Sequence, residues 1–138
     1  DYAAAVADAA HRVRPDLIVL AQDGELAQAA AGLGLPVAIV GIADRAYEDD
    51  GTLVPRSQSG AVIHDPATII DRTIRMVCEG VIESASGVKL PVVADTVLLH
   101  GDNPGAVDLA RLIRKELTAA GVTIAPLAQV LAAKAEAA

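Results

Sequence analysis

The chain has 138 residues, enough for one compact domain, and 53% of them are hydrophobic, which excludes intrinsic disorder. With no Phe or Trp and only two Tyr it lacks an aromatic platform for stacking bases, and its formal charge of −7 repels phosphate backbones and anionic lipid. Nucleic acid and membrane surfaces are therefore set aside as partners. No apolar run approaches the roughly 20 residues that span a bilayer, no secretory signal opens the chain, and the lone Cys78 can form no internal disulfide and joins no zinc-type Cys/His cluster. The expectation is a cytoplasmic protein.

In chain order, Asp1 to Arg14 is Ala-rich and reads as helical, with the chain starting inside the helix and Pro15 ending it. Leu17-Ile18-Val19-Leu20 is a short apolar run between turn residues, the pattern of a strand covered on both faces. After the turn at Gln22-Asp23-Gly24, a short helix over Glu25 to Ala31 closes at Gly32 and Gly34, and Val37-Ala38-Ile39-Val40 is a second buried strand. Residues 43–66 have no periodicity and read as a long loop. Asp65 predicts a helix N-cap with Pro66 in the first turn, and Ile70, Ile74, Val77 and Val81 form the apolar stripe of the helix that follows. Gly87 to Pro91 is a connector or small hairpin. Thr96 to Leu99 is a third strand. Pro104 opens a helix with a stripe of Leu109, Leu112, Ile113 and Leu117, Val122 to Ile124 is a candidate fourth strand, and a terminal helix follows Pro126. This alternation predicts an α/β fold of parallel strands with helical crossovers, in a single domain over residues 1–138.

In such folds the ligand site lies at the carboxyl ends of the strands. The residues there are Gln22-Asp23-Gly24, Asp44-Arg45 and His100-Gly101-Asp102, polar or ionisable in all three places. A structureless loop of more than about 15 residues in a compact domain is usually functional, and this one carries Arg56, Ser57 and Gln58. The arginine forks of Arg45 and Arg56 suit carboxylate or phosphate. His100 and Asp102 suit general base and acid, or Asp102 can orient the imidazole. Asp44 beside Arg45 reads as an anion held by a cation. Together these residues suit a small anionic substrate with a carbonyl to be attacked.

Each candidate also has a structural alternative. Asp102 or Asn103 can cap the helix after Pro104, and Asp44 can simply anchor the loop through Arg45. Asp49-Asp50-Gly51 reads as a solvated turn rather than a metal site. His64 decorates the end of the loop, His11 faces solvent, and Cys78 fills the core. Tyr47 either lines the site or packs the loop. There is no G-x-x-x-x-G-K-[ST] phosphate loop and no G-x-S-x-G nucleophile elbow, and Gly32-Leu33-Gly34 falls at a helix end, where it is no dinucleotide fingerprint.

The stretch Ala43-Asp44-Arg45-Ala46-Tyr47-Glu48-Asp49-Asp50-Gly51-Thr52-Leu53-Val54-Pro55-Arg56-Ser57-Gln58-Ser59-Gly60-Ala61 resembles the signature of the LamB/YcsF family. Ala94-Asp95-Thr96-Val97-Leu98-Leu99-His100-Gly101-Asp102-Asn103-Pro104 resembles its second C-terminal motif, and the likeness covers essentially the whole chain. The family is identified with the A subunit of the bacterial ATP-dependent 5-oxoprolinase. The resemblance implies opening of the lactam of 5-oxo-L-proline to L-glutamate, with ATP as co-substrate and subunits B and C as partners. It also implies a distorted (β/α) barrel of the glycoside hydrolase and deacetylase type. The family's N-terminal motifs, Asn-x-Asp-x-Gly-Glu, Cys-Gly-Phe-His-Ala-Gly-Asp and Lys-Pro-His-Gly, do not occur here, so the chain resembles the C-terminal half of a family member. The site residues carried over are Asp44, Arg45, Arg56, His100 and Asp102, with Ser57 and Gln58 as lesser candidates. Half of a closed barrel exposes two sheet edges, which predicts pairing with another copy or with the remainder of the barrel.

Two other readings stand beside the lactam hydrolase. One is a metal-dependent, deacetylase-like amidohydrolase with His100 and Asp102 as two ligands of a divalent metal. The other is a non-catalytic module that binds a small anion or supports assembly.

Overall fold

The computed structural model describes residues 1–102 and 104–137, and Asn103, a candidate helix cap, lies outside them. The elements in order are α1 (Tyr2–Val13), β1 (Val19–Ala21), α2 (Glu25–Gly32), β2 (Val37–Ile42), α3 (Pro66–Ile74), β3 (Val81–Glu83), β4 (Lys89–Pro91), β5 (Thr96–Leu98), α4 (Ala106–Ala119) and α5 (Leu127–Glu136). The chain divides into two compact units. The first contains Asp1–Gly41, Ala94–Thr96 and the stretch from Ala125 onward; the second contains Ile42–Val93 and Val97–Ile124. The strands of one sheet run in the order β1-β2-β5, and β3 and β4 form a separate pair.

In the first unit the alanines set the packing. Ala7 of α1 and Ala30 of α2 are fully buried against Leu35, with Val19 and Val37 around them. Side chains this small let two helices approach closely. Asp1 is not inside α1, as the composition suggests, but caps it: its carboxylate accepts from the Ala3 amide at 3.1 Å. β1 and β2 pair in parallel, Val19 opposite Val37 and Ala21 opposite Ile39, with α2 as the crossover. Asp95 extends that pattern with its side chain. Its amide donates to the Ile39 carbonyl, and its carboxylate accepts from the Ile39 amide at 2.8 Å and from Lys134 of α5 at 2.9 Å.

The second unit is built on Ala43, Ile69, Leu109, Ile113 and Leu117, with Ile63, Ile70, Ile74, Val77, Val97, Leu99 and Val122 packed around them. Asp65 caps α3 as expected, accepting from the Thr68 amide at 2.8 Å. Of the predicted α4 stripe, Leu112 is exposed and Ala106 takes its place in the core.

The helix after Pro66 departs from the expected stripe. Past Ile74 it widens into a π turn over Arg75–Glu79 and ends at Gly80, whose φ of +65° suits a residue without a Cβ. The extra residue in that turn rotates the face, so Met76 is buried and Cys78, expected in the core, is exposed. Val81 starts β3 instead of completing a helical stripe, and β3 pairs antiparallel with β4. Val122–Ile124 is not a strand, because the Gly121 turn folds the chain back and the Val122 amide donates to the Leu117 carbonyl.

Candidate active site

The site begins with the segment read as a structureless loop. Residues 43–63 are ordered by two antiparallel bridges, Arg45 with Val62 and Tyr47 with Leu53. A turn at Glu48–Gly51 closes the inner bridge, with Gly51 at φ +84°. The interior of this excursion is the small cluster of Ala46, Val54 and Ala61. Arg45 threads through it. Its Nε donates to the Ala61 carbonyl at 3.0 Å and its Nη2 to the Val54 carbonyl at 2.6 Å, so one buried guanidinium ties both return strands to the outgoing one.

That anchoring fixes Asp44. Its carbonyl accepts from the Ile63 amide, the preceding Ala43 amide donates to the Leu98 carbonyl, and Arg72 of α3 donates to the Arg45 carbonyl at 3.2 Å. Arg72 is itself half buried; burial lowers its tendency to stay charged, and nearby Tyr47 and Glu83 offset this. Tyr47 packs rather than lines the site, its hydroxyl accepting from the Ile42 amide at 2.9 Å.

The side chain of Asp44, only 4% exposed, reaches His100 at the end of β5. Its Oδ1 lies 2.8 Å from Nδ1 of His100, and its Oδ2 accepts from the His100 amide at 3.2 Å. On the other side of the ring, Nε2 of His100 lies 2.8 Å from Nη2 of Arg56. A guanidinium has donors only, so Nε2 is the acceptor, the proton sits on Nδ1, and Nδ1 donates to Asp44. The imidazole is therefore neutral, held in one tautomer, with its lone pair directed away from Asp44. An aspartate that orients a histidine in this way leaves Nε2 as the ring atom with a lone pair to accept a proton.

These residues open onto a cleft of about 310 Å³ lined by Asp44, Arg45, Arg56, His64, His100 and Asp102, with Val62 and Pro104 as its apolar part. The ion pairs among the described residues leave out both Arg45 and Arg56, so the cleft carries guanidinium charge without a carboxylate bound to it. Asp44 and Asp102 line it as well and Arg45 is buried, so the exposed Arg56 is the group able to meet an anion there.

The partner of Asp44 is His100 and not Arg45, whose donors go to backbone carbonyls. Ser57 and Gln58 are exposed and do not line the cleft, because the turn in which the Gln58 amide donates to the Pro55 carbonyl carries them outward. Asp102 does not cap α4; the cap residue is Gly105, and Asp102 lines the cleft instead. The turn at Gln22-Asp23-Gly24 belongs to the first unit. His64, read as decoration, lines the cleft. It lies two residues from Val62, so the Arg45–Val62 bridge turns both toward the same side, an alternation too short to register as a strand in the sequence.

Asp49 has a structural role. Its Oδ1 accepts from the hydroxyls of Ser84 and Ser86, each at 2.6 Å, fastening the loop tip to the β3–β4 hairpin. The Ser84 hydroxyl, then that of Ser86, holds this carboxyl below its ordinary 3.8. Among the described residues no three His, Cys, Asp or Glu side chains stand together as a metal-binding set. Both ring nitrogens of His100 are already engaged.

The LamB/YcsF family model matches residues 1–132. The chain is 48% identical over 125 residues to the 5-oxoprolinase A subunit of Rhodopseudomonas palustris strain BisB18, covering 90% of this chain and 49% of that protein. It is 46% identical over 134 residues to the 5-oxoprolinase A subunit of Coprothermobacter proteolyticus, covering 96% and 51%. The crystal structure of the lactam utilization protein from Thermus thermophilus superposes with a TM-score of 0.80 at 36% identity, over 88% of this chain and 49% of that one. The chain thus spans about half the length of the relatives it matches.

Proposed function

Since the chain belongs to the LamB/YcsF family, we propose that its cleft is part of the lactam-opening centre of an ATP-dependent 5-oxoprolinase, working with subunits B and C in the cytoplasm. The observation that carries this reading is the Asp44–His100 pair, with Nε2 directed into a cleft that holds guanidinium charge.

An unstrained lactam is a poor electrophile, and coupling to ATP supplies the activation. In the proposed sequence Arg56 and Arg45 attract the substrate carboxylate or a phosphate. Nε2 of His100 takes a proton from water as its oxygen attacks the ring carbonyl carbon. The carbon–nitrogen bond then breaks, and the ring nitrogen leaves with the proton that His100 took from the water, relayed to it by Asp102. Arginine donors steady the developing oxyanion. The distorted barrel of the deacetylase type is the architecture expected of the whole enzyme. No step is routed through a metal.

The test is turnover of 5-oxo-L-proline by the whole enzyme assembled with its partner subunits. Arg56→Ala and Asp102→Asn should each lower it by about 10²-fold or more. Normal turnover by both variants would remove these roles.

A further inference from the structure

Arg56 occupies the nitrogen that the proposed chemistry needs. Its Nη2 donates to the Nε2 lone pair of His100 at 2.8 Å, and while it does so the imidazole cannot take a proton from water. The two arginines of the cleft are held differently. Arg45 is buried and fixed by two carbonyls, whereas Arg56 is exposed on the turn at Pro55–Gln58 and its guanidinium rests on a neutral ring. Asp102 lines the same cleft, yet the hydrogen bonds among the described residues include none between it and Arg56.

A neutral imidazole is a weaker acceptor than a carboxylate, which can take two parallel N–H bonds from a guanidinium. We propose that Arg56 is a carboxylate-operated gate on His100. An anionic group entering the cleft draws the guanidinium off Nε2 into a bidentate pair and so exposes the base. This rests on the reading of His100 as that base and adds to it a rule of substrate class. Lactams that carry a carboxylate unmask Nε2, and neutral lactams of the same ring size meet it masked. Binding of the anion and release of the base are one event, which keeps the base covered when the cleft is empty.

The test uses the full chain labelled with ¹⁵N-histidine, the His100 signals being assigned by their loss in His100→Gln. In the free protein, Arg56→Ala should move the Nε2 signal, because its donor is gone. Added 5-oxo-L-proline should move the wild-type Nε2 signal in the same direction, and 2-pyrrolidinone, the same ring without the carboxylate, should leave it in place. The gate is overturned if Arg56→Ala leaves the free-protein signal unmoved. It is equally overturned if 5-oxo-L-proline produces no response, or if 2-pyrrolidinone produces the same one. Turnover by His100→Gln in the assembled enzyme separates the two ideas. Normal turnover beside an intact Nε2 response removes the base and leaves only the anion-driven release of Arg56 from Nε2. Lost turnover beside an unresponsive Nε2 leaves the base and removes the gate.

Discussion

Nδ1 of His100 donates to Oδ1 of Asp44 at 2.8 Å, across 56 residues of sequence. The contact exists because Ala43 pairs with Leu98 through the backbone and delivers both side chains to the same strand ends. Asp44 also accepts from the His100 amide, so the carboxylate fixes the backbone and the ring together.

Asp44→Asn should keep the fold and lose the chemistry. An amide can present its NH₂ to Nδ1, and the ring proton then moves to Nε2, where it blocks the base. Turnover of 5-oxo-L-proline in the assembled enzyme should drop by about 10²- to 10⁴-fold with little change in KM. A drop confined to KM would assign Asp44 to binding.

Arg45 should matter to stability before it matters to binding. Replacing it with Leu leaves the Val54 carbonyl without its donor inside a buried loop, and the Ala61 carbonyl with that of the Ala46 amide alone. The expected loss is about 2 kcal/mol in urea unfolding. A loss below about 0.5 kcal/mol, the range of an ordinary surface change, would mean that the backbone bridges order the loop unaided.

Asp95 and Lys134 form an ion pair whose two halves should not be equivalent. Asp95 is 5% exposed and satisfies the Ile39 amide, while Lys134 is 48% exposed. Lys134→Ala should cost about 0–1 kcal/mol, the range of a solvent-screened pair. Asp95→Ala should cost about 1–3 kcal/mol, because it leaves a strand amide unpaired. Equal losses in denaturant unfolding would contradict this assignment.

The Asp49 carboxyl is held down in the folded state, so its contribution to stability is present above the ordinary value of 3.8 and fades as pH falls through the lower folded value. Following the side-chain carbon by NMR, the wild-type midpoint should lie below 3.8, the ordinary value, and rise in Ser84→Ala, with a smaller rise in Ser86→Ala. No rise in either variant would show that the hydroxyls do not set it.

The fold was readable wherever local chemistry and tertiary packing agree. Val37–Val40, bounded by Pro36, forms a strand, and Asp65 with Pro66 starts a helix. The spacing of Leu109, Ile113 and Leu117 marks a buried face. Reading failed where a distant contact decides. The order of residues 43–63 depends on Arg45 donating to carbonyls 9 and 16 residues away, which leaves no periodic trace. The π turn at Arg75–Glu79 breaks a stripe that is helical by composition. Within the site, His100, Arg56 and Asp102 stood out as chemically able residues beside the loop. The choice of Asp44 as the partner of His100 could not be made from spacing, because Arg45 is adjacent in sequence and oppositely charged. His64 carries no signal in the sequence, because a single β alternation is indistinguishable from loop.

The most direct test of the dyad is His100→Gln in the assembled enzyme, with turnover and calorimetric binding of 5-oxo-L-proline measured on the same preparation. The account predicts turnover lowered by at least about 100-fold with binding retained. Turnover within about twofold of the wild type would contradict it.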